Sequence, residues 1–362
     1  MHRRQLLKAG LGSVAMAMTP LSWSLPAREE AAWLFSAVDD PSGGHYIAGV
    51  APDGQTRFMI EVPERCHGGC LRPASRQAVL FARRPGTRMH VIDGDSRQLA
   101  HTIAAGEGYH FYGHGVFDPA GRYLYVTANR LEDSAGLVRV YDAANDYAHV
   151  RDMPLAGIGP HELRLMPDGD TLVIGLGGIR THPDYGRVKL NLDTMAPALM
   201  LMDRHSGEIL ARHEPSHHQL SCRHLDVAAD GTVIAGYQFQ GPEWETLPLI
   251  CRLDADGHFS ELTLPEEVTA SLNQYTASVA FSRISDTVLV TAPRGNRVLL
   301  LDATQGKLVA SPALPDAAGA RCDGNGGFLV SSGQGGLYRV TPDLAMPELL
   351  ASLEFRWDNH LT

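Results

Sequence analysis

Five of the seventeen histidines stand in one kind of setting, at or near the start of a strand-like run. They are His67 in Cys66-His67-Gly68, His114 in Gly113-His114-Gly115, His161 in Pro160-His161-Glu162, His224 in Arg223-His224-Leu225 and His360 in Asn359-His360. Neutral imidazole is a ligand for iron, copper, zinc and nickel, so convergence of these rings would make a metal site. No Cys-x-x-Cys pair supports it locally; the signal depends on a fold that brings distant segments together. Bonds of ~2.0–2.1 Å to a shared ion require ring nitrogens within about 4 Å of one another. The plain structural alternative is that each ring hydrogen-bonds a neighbouring strand or a buried water. His67 and His161 also stand one residue out of phase with His114 and His224 when the following turns are aligned. Because side chains alternate along a strand, all five face one point only if the segments leading into their strands differ.

A second set is suited to anions. Arg83 and Arg84 precede Pro85-Gly86, Asn129 precedes Arg130, Arg180 and His182 flank Thr181, and Arg294 lies in Pro293-Arg294-Gly295-Asn296. The guanidinium fork matches carboxylate and phosphate, so these side chains are expected to frame an anionic ligand or metal chelate. Residues 177–197 form the longest insertion, a length uncommon unless a loop is functional or disordered. Its His182, Tyr185, Arg187, Lys189 and Asn191 are expected to fold over the site, with residues 238–244 as a second lid. A Gly-x-Ser-x-Gly elbow, a phosphate-binding glycine loop and a zinc-protease helix motif are all absent. Glu162 is adjacent to His161, and neighbours on a strand point to opposite faces, so the two do not form an acid–base pair. A net charge of −10 argues against a nucleic-acid or anionic-membrane partner.

The elements that must position these residues repeat. An apolar run ends in Asp, a turn follows, and a second run begins, as in His90-Val91-Ile92-Asp93 and Leu299-Leu300-Leu301-Asp302. The Asp positions are 53, 93, 142, 203, 254, 302 and 343, with gaps from 40 to 61 residues, the widest containing the 177–197 insertion. That period is close to the ~40–50 residues of propeller blades. A second repeat of strand, turn and strand covers 115–126, 163–174, 225–234 and 279–290. The reading is all-β: a seven-bladed β-propeller over residues 28–362. Blade one lacks an inner strand, and the apolar segment Leu353-Glu354-Phe355-Arg356-Trp357 is expected to supply it and close the ring. In that fold the five histidines and the arginine loops gather at one channel mouth.

Residues 1–27 read as an address. Arg3-Arg4-Gln5-Leu6-Leu7-Lys8 resembles a twin-arginine export signal, a mild apolar stretch follows, and Leu25-Pro26-Ala27 offers a cleavage site. The expected location is the periplasm, reached in the folded state. No later segment approaches the ~20 apolar residues of a membrane span. Five cysteines cannot all pair, and Cys66 and Cys70 bond only if the chain turns at Gly68-Gly69.

Several motifs together resemble one bacterial family. They are Phe111-Tyr112-Gly113-His114-Gly115-Val116-Phe117, Gly159-Pro160-His161-Glu162, Thr181-His182-Pro183-Asp184 with Leu190-Asn191-Leu192-Asp193-Thr194-Met195, His218-Gln219-Leu220-Ser221 and Arg223-His224-Leu225. Ala82-Arg83-Arg84-Pro85-Gly86, Ser331-Ser332-Gly333 and Asp358-Asn359-His360 fit as well. On these the chain resembles the domain-of-unknown-function family numbered fifteen-thirteen, and more distantly the YVTN-type propellers, through Tyr123-Leu124-Tyr125-Val126-Thr127-Ala128-Asn129. The resemblance implies an exported propeller, often encoded beside imelysin-type peptidase-like and di-haem oxidoreductase-like proteins linked to iron uptake. It carries over no catalytic role. The functional expectation is a periplasmic propeller that binds Fe or Cu, as an ion or an anionic chelate, in metal acquisition or homeostasis. A protein-interaction scaffold is the alternative, and a hydrolase or lactonase a third.

Overall fold

In the computed structural model, which describes residues 33–343 and 346–362, seven four-stranded antiparallel sheets form the blades of a propeller. The export segment expected over residues 1–27 lies outside the described residues. Six blades follow chain order from the inner strand outward, as in blade two: Cys66–Leu71, Gln77–Ala82, Arg88–Asp93 and Gln98–Ala104. Burial falls along that direction. Gln77–Ala82 is buried almost throughout, whereas Gln98–Ala104 is mostly exposed. Second strands pack on both faces and so read as continuous apolar runs; fourth strands touch solvent.

The repeated Asp residues have a local cause. Asp93 accepts hydrogen bonds from the backbone N–H of Asp95 (2.8 Å) and Ser96 (3.2 Å). Asp203 does the same for His205 and Ser206, and Asp254 for Asp256 and His258. The side chain thus replaces a backbone acceptor in the hairpin between third and fourth strands.

Blade one is completed from the other end of the chain. Arg356–Trp357 pairs antiparallel with Leu34–Asp39. Beyond it Asp358 N–H donates to Ala37 O and Thr362 N–H to Phe35 O, each at 2.9 Å. Leu34, Val38, Trp357 and Leu361 pack with Leu329 and Leu337 of blade seven. The expected closure is therefore present, and backbone hydrogen bonds to the same strand continue past the predicted segment to Thr362. Apolar layers fill the spaces between neighbouring blades, so each blade is stabilised by both neighbours. All five cysteines are free thiols; burial pushes Cys70 and Cys251 up to about 12, well away from the reactive thiolate.

Candidate metal centre

His67, His114, His161 and His224 come from the inner strands of blades two to five, His360 comes from the segment just after the closing strand of blade one, and the five rings meet at the channel mouth. Ring centroids are 4.6 Å apart for His67–His360 and His161–His224, 4.7 Å for His114–His161 and 4.5 Å for His224–His360. All five side chains are buried. Two groups of three, His67/His114/His161 and His67/His224/His360, bring one ring nitrogen each within 4.8 Å of one another. Three bonds of ~2.1 Å around one ion place the nitrogens about 3.4–3.6 Å apart, so shifts of up to about 0.7 Å in each side chain bring a triad onto one metal.

The phase mismatch between the strands is absorbed by bulges. In blade two, Cys66 faces Ala82 and Gly69 faces Leu80, so one extra residue is accommodated at His67. Blade four repeats this between Pro160 and Leu163, around His161. Blade three holds two extra residues between Phe111 and Gly115, and blade five one between Cys222 and His224. A bulge re-aims the side chain beside it, which is how rings that alternate out of step in sequence reach the same point. Glycines make the approach feasible: a Cβ on Gly68 would stand 2.5 Å from His114 Nδ1 and 2.6 Å from Gly113 O, and Gly113 itself has φ +99°. Blade six has no bulge in its inner strand and offers Ser278, whose hydroxyl lies 3.4 Å from His360 Nδ1.

Two carboxylates hold the rings from behind. Asp358 Oδ1 is 2.6 Å from His67 Nδ1, and Glu162 Oε2 is 3.1 Å from His224 Nδ1. Such partners set the tautomer and leave Nε2 as the ligand nitrogen. Glu162 does turn away from His161, as strand alternation requires, but toward the histidine of the next blade; Arg164 Nη2 pairs with its other oxygen at 2.5 Å. Arg65 Nη2 reaches Asp358 Oδ2 at 2.7 Å and Arg83 Nη1 at 3.4 Å. Burial opposes the charge on Asp358, but His67, Arg83 and Arg65 outweigh it and hold its carboxyl well below the usual range. Burial, reinforced by the crowding of the other histidine rings and, at His161 and His224, by Arg223, drives His114, His161, His224 and His360 well below the ordinary imidazole value. His67 is lowered too, by burial, with Asp358 pulling the other way. The rings are therefore neutral at pH 7, the form that binds metal. His114 Nε2, His161 Nδ1 and His360 Nε2 are buried without a hydrogen-bond partner among the described residues.

Above the rings the channel opens in two steps. A cavity of about 20 Å³ touches His67, His161 and His224, and a larger one of about 480 Å³ opens above it; Arg83, Arg84, Arg187, Arg223, Gln238 and Tyr275 line both. Arg84 and Arg223 are buried, and Arg84 Nη1 and Arg223 Nε lack partners among the described residues. Burial, then the like charges of Arg84 and Arg187, lowers Arg223 to about 9; burial, then Arg83 and Arg84, lowers Arg187 to about 10. Guanidinium keeps its proton in proteins, so these depressions measure how little the surrounding side chains compensate the charge. Arg294 lines the larger cavity, its guanidinium 4.4 Å from the Tyr275 ring centroid.

Of the six side chains expected to frame an anion, Arg83, Arg84 and Arg294 line these cavities; Asn129, Arg180 and His182 do not. Asn129 is buried and its Oδ1 lies 3.5 Å from Gly159 N. Arg180 donates to Ser134 Oγ at 2.8 Å, and His182 Nδ1 accepts from Asp184 N at 3.2 Å. From the insertion, Arg187 and Lys189 line the larger cavity, Asn191 braces the loop base through Arg180 N and Gly178 O, and Tyr185 is exposed. In the second loop Gln238 lines the cavity while Trp244 is exposed. Sequence reading passed over Asp358 and Glu162 as partners of histidine. Their places next to a candidate histidine, in Asp358-Asn359-His360 and His161-Glu162, were the available signal.

Fold and site define a seven-bladed propeller with buried histidines from five blades converging at one mouth of its channel, under a layer of arginine. The chain belongs to the family described as "Protein of unknown function (DUF1513)", whose model matches residues 60–362. No curated protein matches it in sequence. The fold is shared with a chain of Kuenenia stuttgartiensis hydrazine synthase, at a TM-score of 0.65 and 15% identity, covering 86% of this chain and 95% of that one. At that identity the likeness speaks for the fold alone.

Proposed function

We propose that this propeller binds a metal ion, iron or copper, on His67, His114, His161, His224 and His360, and serves in handling that metal in the periplasm. The observation that carries the reading is the set of buried, neutral rings that converge while three of their nitrogens have no partner among the described residues. Leaving such a group unpaired costs roughly 1–3 kcal/mol, and a shared ion would offset several of these costs at once. His67 belongs to both triads, and its Nδ1 is taken by Asp358. One ring nitrogen remains, so the triads hold one ion between them rather than two. The arginine-lined cavity is the route by which an ion or its anionic chelate would arrive. The imelysin-type and di-haem oxidoreductase-like proteins implied by the family resemblance are the partners to try for its delivery or removal.

The test is elemental analysis of protein purified from the periplasm, followed by thermal melts with Fe(II), Fe(III), Cu(II) and Zn(II). Binding of about one iron or copper per chain with a raised melting temperature is expected. Native protein without metal, together with melts unmoved by any of the ions, would overturn the reading.

A further inference from the structure

The larger cavity carries more than a route. Eight cationic side chains line it against the carboxylates of Asp39 and Asp316, and Asp39 is already engaged by His45 Nδ1 at 2.7 Å and Arg65 Nε at 3.4 Å. Like charges gather this way at a cost, and two of them, Arg84 and Arg223, are more than nine-tenths buried with a guanidinium nitrogen unpaired. A volume of about 480 Å³ is that of a small-molecule site rather than a water pocket. The cations come from separate elements: the second-to-third-strand loops of blades two and six, the blade-four insertion, the inner strand of blade five, the segment ahead of blade two (Arg65) and the closing strand (Arg356). No single turn or crowded helix end accounts for their meeting.

We infer that this cavity is a second ligand site, for a small polyvalent oxyanion, a polycarboxylate or a phosphate, seated on Arg84, Arg187 and Arg223 above the histidines. Gln238 and Tyr275 add uncharged polar groups to the same floor, and Lys189 and Arg294 stand in the wall. Guanidinium forks bind such oxygens in pairs. Two of the binding side chains, Arg187 and Lys189, come from the insertion, so the anion would tie that loop to the channel mouth. What the anion does next rests on the metal reading. An oxygen directed between Arg84 and Arg223 enters the small cavity on His67, His161 and His224, where it would add a donor to an ion held by the rings.

The experiment is isothermal titration of the metal-free full chain with citrate and, separately, with inorganic phosphate, with variants checked for folding by circular dichroism. Saturable one-to-one binding of at least one anion is expected, and the tighter of the two assigns the class. Arg84→Gln and Arg223→Gln should each weaken it about tenfold or more, the loss of a charge-assisted hydrogen bond. Lys189→Gln, on the exposed insertion, should weaken it less and tests the site without disturbing the buried floor. Arg180→Gln should leave it unchanged. The inference fails if neither anion binds, if the variants lining the cavity bind like wild type, or if Arg180→Gln weakens binding as much as they do. His114→Gln separates the two readings: anion binding that survives in it while metal binding is lost supports both as distinct sites. Anion binding by a wild-type protein that takes no metal sinks only the metal reading.

Discussion

The histidine layer and the arginine layer lie one above the other in the same channel mouth, and they meet burial in opposite ways. The histidines shed their charge: rings are neutral, and His67 and His224 are braced by Asp358 and Glu162. The arginines cannot shed theirs, and Arg84 and Arg223 have no carboxylate within ion-pair distance among the described residues. Side chains with internal partners, His67 and His224, keep their geometry without a ligand. Arginines lacking them, Arg84 and Arg223, are stabilised when an anion arrives. The difference teaches where preorganisation ends and ligand-dependent stability begins.

The comparison breaks most visibly if the lower layer is removed. Replacing His114, His161 and His224 together by Ala should abolish metal retention, read by elemental analysis, while the metal-free chain keeps the β-sheet circular dichroism of wild type. Next in size, Asp358→Asn and Glu162→Gln should each lower metal affinity about 10–100-fold, the usual effect of losing the group behind a ligand histidine, measured by competition with a chromophoric chelator. Asp358→Asn should also strengthen anion binding modestly, because it removes a buried negative charge and releases Arg65 and Arg83, which line the anion cavity, from their shared partner.

Acid gives a graded version of the same test. The folded histidines lie below their unfolded value of about 6.5, so between those values the unfolded chain binds more protons. The metal-free protein should hold its full stability above about pH 6.5 and lose it as pH falls through the folded values, followed by denaturant titration at stepped pH. An increase in stability over that interval would mean that the rings are charged in the fold. Gly68→Ala should cost about 1–3 kcal/mol by overpacking His114. The smallest effect belongs to His182→Ala, below about 0.5 kcal/mol and without change in either ligand, since its ring is occupied on the loop surface.

Much of this architecture is written locally. Asp at the third-to-fourth strand turns, apolar runs in second strands and the unassigned C-terminal segment yield seven blades and ring closure, because hairpins are short-range and their Asp turns are satisfied within a few residues. The histidines were legible as a set by their common place at the starts of inner strands. Their convergence was not, because alternation along a regular strand predicts opposed faces for rings one residue out of step, and bulges at His67, His114, His161 and His224 cancel it.

By itself, then, the sequence determined the repeat, the blade count, the closing segment and the face on which polar chemistry collects. Only the tertiary structure decided which side chains share that chemistry. It paired His224 with Glu162 from the neighbouring blade and His67 with Asp358 from nearly three hundred residues away. It placed Arg187, itself exposed, on the wall of the channel mouth and engaged Arg180 at Ser134 on another blade. The reason is physical: strand and turn formation follow from contacts between near neighbours in the chain, whereas the channel is lined by a few residues from each of several blades. Blades two and five supply three or more lining residues each, and the mutual distances of all of them depend on bulges, blade packing and closure of the whole ring.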